Sequence, residues 1–204
     1  MTAGEAPTLF GWWTDGTSDL MYRGAMGYLL DGLPRPGRSV LDLGGANGMS
    51  RWYLPGHDIT TVDIDPATEP DVVADITTWT PKADAEVVLL RYVLHYLSDE
   101  QVRGLFAHLA TWHYGPVLVV QFANPRPWQK RANSADAGQR WFRTPAALLT
   151  LLRSLPNWID HGRVNRLTYT VQPEFYANRL GTPGQYAHAE ELLGLALEHR
   201  VVAV

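Results

Sequence analysis

The sequence predicts an α/β protein built on a mainly parallel sheet. Three observations carry that prediction. Four short apolar runs follow one another between residues 39 and 91, the first three closing on an acid. A glycine-rich turn follows the first of them directly. Segments of helical spacing, bounded by glycine, proline and capping residues, flank the runs. With 204 residues, 46% of them hydrophobic and 19% charged, the chain is most simply a single domain large enough for a three-layer core.

Each element has its own local cause. Residues 17–32 place Leu20, Met21, Gly24 and Leu29 at helical spacing, and Gly32 and Pro34 stop that helix. Residues 40–43 read as a buried strand, and the turn after it holds three glycines in five residues, 44–48. Residues 58–63 form a second strand, whose terminal Asp63 stands 21 residues after Asp42. Only seven residues, two of them proline, separate Asp63 from Asp71, which is too few for a full helix. Runs at 71–76 and 85–91 supply the third and fourth strands.

Ser98 with Gln101 fits a capping box for a helix to about Thr111, with Val102, Leu105, Phe106 and Leu109 on one face. Residues 116–122 read as the fifth strand, and Thr144 with Pro145 opens a helix over 145–154. Between them, residues 124–143 are irregular, aromatic and basic. A strand pair within 159–178 and a last helix near 184–199 complete the expectation.

Composition removes several function classes. There is no cysteine, so disulfides, a thiol nucleophile and a cysteine zinc site are excluded. The remaining histidines, among them His113, His161, His188 and His199, show no ligand spacing, and no metal is expected. The first ten residues lack the pattern of a secretory leader, and no apolar run approaches the roughly 20 residues of a membrane span. A cytoplasmic protein with no membrane partner is the expectation. Net charge is −4, divided as −9 over residues 1–100 and +5 over 101–204. An acidic chain lacks the basic footprint of extended nucleic-acid binding.

The turn after the first strand carries the chemistry. Small residues there let main-chain N–H groups approach a nucleotide-like ligand. The dinucleotide pattern G-x-G-x-x-G would need glycine where Ala46 and Met49 stand, so an NAD site does not fit. The pattern present, Asp42-x-Gly44-x-Ala46-x-Gly48, resembles the first motif of the class I S-adenosylmethionine-dependent methyltransferases, with alanine for the usual middle glycine. The acids closing the second and third runs extend the resemblance over roughly residues 39–123.

The resemblance implies a Rossmann-like, seven-stranded sheet of order 3-2-1-4-5-7-6 in a three-layer αβα fold, abbreviated between strands 2 and 3. It implies S-adenosylmethionine as cofactor, held by the loop of Gly44, Ala46 and Gly48. Asp42 would approach the methionine end, Asp63 the ribose hydroxyls and Asp75 the adenine amino group, with Ile76 as cover. Arg91 would lie at the methionyl side, and Arg23 on the first helix would meet the cofactor carboxylate.

For the acceptor, residues 92–96 resemble the V-L-H-x-L segment of small-molecule members. His95 is the candidate base, with Tyr92 beside it as a second catalytic candidate. Trp13, Tyr22, Trp141 and Tyr176 are candidate walls of an acceptor pocket, and Arg131 and Arg143 candidate ligands of an anion. The implied organisation is an N-terminal helix or lid at 8–33, a cofactor half at 34–123 and an acceptor half at 124–204. The activity implied is in-line methyl transfer to a small anionic metabolite. The alternatives are another reaction of the same cofactor, such as intramolecular alkylation, and a non-catalytic partner subunit. The oligomeric state is not set by the sequence.

Overall fold

The computed structural model describes residues 37–46, 48, 50–113, 115–123, 141, 143–160, 165–171 and 188–199. The apolar runs become β1 (Ser39–Leu43), β2 (Asp58–Asp63), β3 (Val72–Val73), β4 (Val87–Arg91) and β5 (Pro116–Ala123). A one-turn helix, α1 (Ser50–Tyr53), follows β1, and α2 (Asp99–Leu109) follows β4. Helix α3 (Pro145–Arg153), β6 (Trp158–Asp160), β7 (Asn165–Val171) and β8 (His188–His199) complete the order.

The strands form one sheet of order β3-β2-β1-β4-β5-β8-β6, with β7 also paired to β8. Strands β3 to β5 are parallel, while β8 runs antiparallel to β5 and to both β6 and β7. Strand β6 pairs with the end of β8 (Trp158↔His199) and β7 with its start (Val171↔His188). The two therefore lie end to end along one side of β8, and the sheet has seven positions in the order 3-2-1-4-5-7-6.

Strand β4 is buried at every residue, as a central parallel strand covered on both faces must be. On one face Leu41, Leu43, Val88, Leu90, Val117, Val119, Leu195 and Leu197 pack with the leucines of α3 and with Val102, Leu105, Phe106 and Leu109 of α2. The opposite face presents Val40, Asp42, Val87, Leu89 and Arg91, all buried. Asp42 and Arg91 share it because side chains alternate along a strand and Asp42 is in register with Leu89.

Both expected caps are present. Ser98 Oγ accepts from the Gln101 N–H while Gln101 Oε1 accepts from the Ser98 N–H, and Thr144 accepts from the Ala147 N–H ahead of Pro145. Between β2 and β3 there is only a 3₁₀ turn, Pro66–Thr68. Arg51 of α1 and Asp71 brace this shortened edge. The Arg51 guanidinium pairs with the Asp71 carboxylate, which also accepts from the Thr61 N–H (2.7 Å) and hydroxyl (2.9 Å). Burial pushes the Asp71 carboxyl up, but the Thr61 bonds and the Arg51 charge outweigh it and hold it below its ordinary range.

Two expectations are corrected. The last helix near 184–199 is instead β8. Its alanine-, leucine- and glutamate-rich sequence favours a helix, but strands on both its sides take its backbone groups, and Leu195 and Leu197 alternate into the core. The third run yields only the two residues of β3, because Asp71 is drawn into the brace and Asp75 into the next turn. The helix at 17–32 lies outside the described residues. Among the described residues no helix is long and apolar enough to cross a membrane.

Candidate cofactor and acceptor site

The parallel strands end together, and the loops beyond β1, β2 and β4 meet there, where open α/β sheets bind ligands. The loop after β1 is anchored to β2 by backbone bonds, with the Gly44 N–H donating to the Val62 carbonyl (2.7 Å). The Ala46 N–H donates to Asp63 Oδ2 (2.9 Å), and the Asp65 N–H donates to Oδ1 of the same carboxylate (3.0 Å). Asp63 thus fixes the loop and is itself held rigid. Each carboxylate oxygen has a second lone pair for a further donor.

The loop needs its glycines for definable reasons. Gly44 has φ +74°, and a Cβ there would fall 2.6 Å from Val93 Cγ2. A Cβ on Gly45 would fall 2.8 Å from the Asp42 carbonyl oxygen, so this glycine, absent from the sequence-based set, lets the loop fold down on Asp42. Gly48 has φ +71°. Ala46, in place of the usual glycine, holds φ +46°, a left-handed conformation that is strained for a residue with a Cβ.

Beneath the loop lies a buried ionic pair. Asp42 is 0% exposed and Arg91 is 6% exposed, with Nη2 3.8 Å from Asp42 Oδ2. Neither Asp42 oxygen accepts a hydrogen bond of ordinary geometry from a described residue. Burial lifts its carboxyl above the ordinary range, and the Arg91 charge opposes that shift without cancelling it. Asp75 is exposed and caps the following turn, its Oδ1 accepting from the Thr77 N–H (2.9 Å) and hydroxyl (2.7 Å). Ile76 next to it is buried.

Beyond β4 the chain turns sharply. Tyr92 is buried at φ +54°, an outlier for a bulky residue, and its N–H donates to the Val120 carbonyl (2.7 Å). A 3₁₀ turn, Leu94–Tyr96, then carries His95, which is 7% exposed. Val93 lies against Gly44, so the acceptor-side turn and the glycine loop are in contact. Gln121 of β5 reaches across: the Leu94 N–H donates to its Oε1 (3.0 Å), and its Nε2 lies 3.0 Å from His95 Nδ1. Sequence reasoning passed over Gln121, although a polar residue inside the apolar run of a central strand was a visible signal.

Arg143 differs from its expected role. Its Nε donates to Asp99 Oδ1 (2.8 Å) and its Nη1 to the carbonyls of Leu94 (2.8 Å) and Trp141 (3.1 Å). Its Nη2 donates to the Leu97 carbonyl (2.8 Å) and meets Asp99 (2.7 Å). All five N–H donors of the guanidinium are engaged, so Arg143 staples the His95 turn instead of offering an anion site. The Trp141 backbone joins the same turn, its N–H donating to the His95 carbonyl (2.7 Å). Arg23, Trp13, Tyr22, Arg131 and Tyr176 lie outside the described residues.

No protein-family model matches the chain, and no curated protein matches it in sequence. Solved structures do resemble it. The N-methyltransferase NodS from Bradyrhizobium japonicum, in complex with S-adenosylhomocysteine, is 12% identical, with 97% of this chain and 93% of that one aligned at a TM-score of 0.63. The magnesium protoporphyrin IX methyltransferase from Synechocystis, with S-adenosylhomocysteine bound, is 14% identical over 93% and 91%, at 0.59. The YcgJ protein of Bacillus subtilis is 14% identical over 87% and 99%, at 0.67. The chain has the Rossmann-like fold of the class I S-adenosylmethionine-dependent methyltransferases.

Proposed function

We propose that the protein binds S-adenosylmethionine at the ends of β1, β2 and β4 and transfers its methyl group to a small anionic metabolite. The observation that carries this reading is the glycine loop clamped by Asp63 over a fully buried Asp42 carboxylate. That carboxylate accepts no hydrogen bond of ordinary geometry from a described residue, the Ser50 hydroxyl being its one neighbouring donor besides Arg91, and an ammonium group is a partner such a site suits. Arg91 beside it suits the cofactor's carboxylate. Asp63, held by two backbone N–H groups, would accept from ribose hydroxyls, and Asp75 and Ile76 would flank the adenine. When bound, the cofactor supplies an electrophilic methyl group on a sulfonium leaving group.

What the chain contributes is position and exclusion of water. The contact of Val93 with Gly44 sets the acceptor turn against the cofactor loop. The Arg143 staple and the Trp141 N–H hold that turn in one conformation. Tyr92 and His95, both buried beside that contact, would flank the transfer. Calorimetric titration with S-adenosylmethionine, S-adenosylhomocysteine and, as control, NAD tests the reading. Micromolar binding of the first two without the third is the expected result; no binding of either would overturn it.

A further inference from the structure

The contacts of Gln121 determine which nitrogen of His95 carries the proton. Gln121 is 3% exposed, and the Leu94 N–H donates to its Oε1 at 3.0 Å. A backbone N–H can only donate, so the amide oxygen must be the atom facing it. The amide Nε2, also only a donor, is then the atom 3.0 Å from His95 Nδ1. Nδ1 must therefore present its lone pair, and the neutral ring carries its proton on Nε2. We propose that Gln121 is a positioning residue that locks His95 as the Nε2–H tautomer, so that a methyl acceptor reaching this ring would meet a hydrogen-bond donor and not a base.

The inference rests on the methyltransferase reading for what His95 meets, and on the Gln121 geometry alone for the tautomer. Nε2 cannot take a proton while it holds one. A proton on Nδ1 would turn the Gln121 contact into donor against donor. The backbone that carries the ring is fixed, because Arg143 holds the Leu94 and Leu97 carbonyls and the Trp141 N–H the His95 carbonyl. An Nε2–H donor suits an acceptor that brings its own electron pair, an oxyanion such as a carboxylate. In that reaction the oxygen–carbon bond forms as the carbon–sulfur bond breaks, and the electron pair stays on sulfur. The products are an ester and a neutral thioether, and no proton is released.

The test is nitrogen–proton correlation spectroscopy of the imidazoles in the ¹⁵N-labelled full chain, with the His95 signal identified by its loss in His95→Gln. The wild type should show protonated Nε2 over protonated Nδ1 by at least about tenfold, the scale of one buried hydrogen bond gained and one donor–donor contact avoided. A predominant Nδ1–H form, or an even mixture, would overturn the proposal. Gln121→Glu keeps an acceptor for the Leu94 N–H but presents a second acceptor to His95, and should move the proton to Nδ1. An unchanged wild-type pattern in that folded variant would show that Gln121 does not set the tautomer. Because these spectra need no cofactor, failure to bind S-adenosylhomocysteine would defeat the methyltransferase reading and leave the tautomer result standing.

Discussion

The two sides of the site are held together by different means. On the β1–β2 side, carboxylates grip nearby backbone. Asp63 takes N–H groups 17 residues before it and 2 after it, and Asp75 takes one 2 residues after it. On the β4–β5 side the grip comes from an amide and a guanidinium acting at long range. Gln121 binds Leu94 at a separation of 27 residues, and Arg143 binds Leu94 and Leu97 at 49 and 46. The contrast follows from the chemistry expected of each side. A loop whose own N–H groups turn inward, as those of Gly44, Gly45 and Ala46 do, needs acceptors to receive them. A turn whose carbonyls would otherwise be buried unpaired needs donors.

Breaking the long-range side should have the largest effect. Arg143→Met keeps the apolar stem but strips donors from the Leu94, Leu97 and Trp141 carbonyls, the first two contacts being buried. Loss of that set should cost about 3–5 kcal/mol of stability, read as a lower urea midpoint at unchanged slope. A loss under about 1 kcal/mol, the worth of one ordinary hydrogen bond, would mean that the turn is held by other contacts.

On the carboxylate side the cost should appear in binding. Asp63→Ala removes the acceptor of two loop N–H groups and the proposed acceptor of the ribose. Affinity for S-adenosylhomocysteine should fall by about 1.5–3 kcal/mol, on the scale of lost charge-assisted hydrogen bonds, while the domain stays folded. Equal affinity in a folded variant would remove Asp63 from the cofactor site.

The same contrast explains what the sequence disclosed. The first five strands, the shortened segment after Asp63 and both helix caps were legible because each depends on residues within a few positions of one another, whereas the strand order came from the family resemblance. The tight turn of Gly44, Ala46 and Gly48 after β1 was legible for the same local reason. Gln121 stood out as a polar residue in an apolar strand, but its role was not legible, since its partners stand 26 and 27 residues away and only the fold brings them near. Arg143 was misassigned for the reverse reason: a basic neighbourhood suggested an anion, and the nearby carbonyls that claim the guanidinium come from another segment. The β8 error has the same root, since pairing with distant β5 and β7 overrides local helix preference.

Acidification separates two carboxylates within the β1–β2 side. Asp71 is held below its unfolded range, so its contribution is present above about pH 4 and is lost as pH falls through the folded value. With its side chain 44% exposed the effect is screened, and Asp71→Asn should cost about 0.5–1 kcal/mol at neutral pH and less in acid. Asp42 is raised, so its contribution is complete below about pH 4 and is lost as pH rises through the folded value. The stability of Asp42→Asn relative to wild type should therefore improve with rising pH, opposite in slope to Asp71→Asn. Urea midpoints measured from about pH 2 to 8 distinguish the two, and parallel slopes would refute the assignment of opposite shifts.

The smallest effect is a gain. Ala46 at φ +46° bears a strain of about 1–2 kcal/mol that glycine would not. Glycine gives back about 0.5–1 kcal/mol through the greater freedom of its unfolded chain. Ala46→Gly should thus stabilise the fold by about 0.5–1 kcal/mol, seen as a higher urea midpoint. Tyr92 carries similar strain at φ +54° on the other side, but relief is not available there, because Tyr92→Gly would also forfeit a buried aromatic ring and should destabilise. If Ala46→Gly also destabilises, the alanine methyl packs well enough to offset its backbone strain. The departure from glycine in this loop would then be a packing choice and not a tolerated defect.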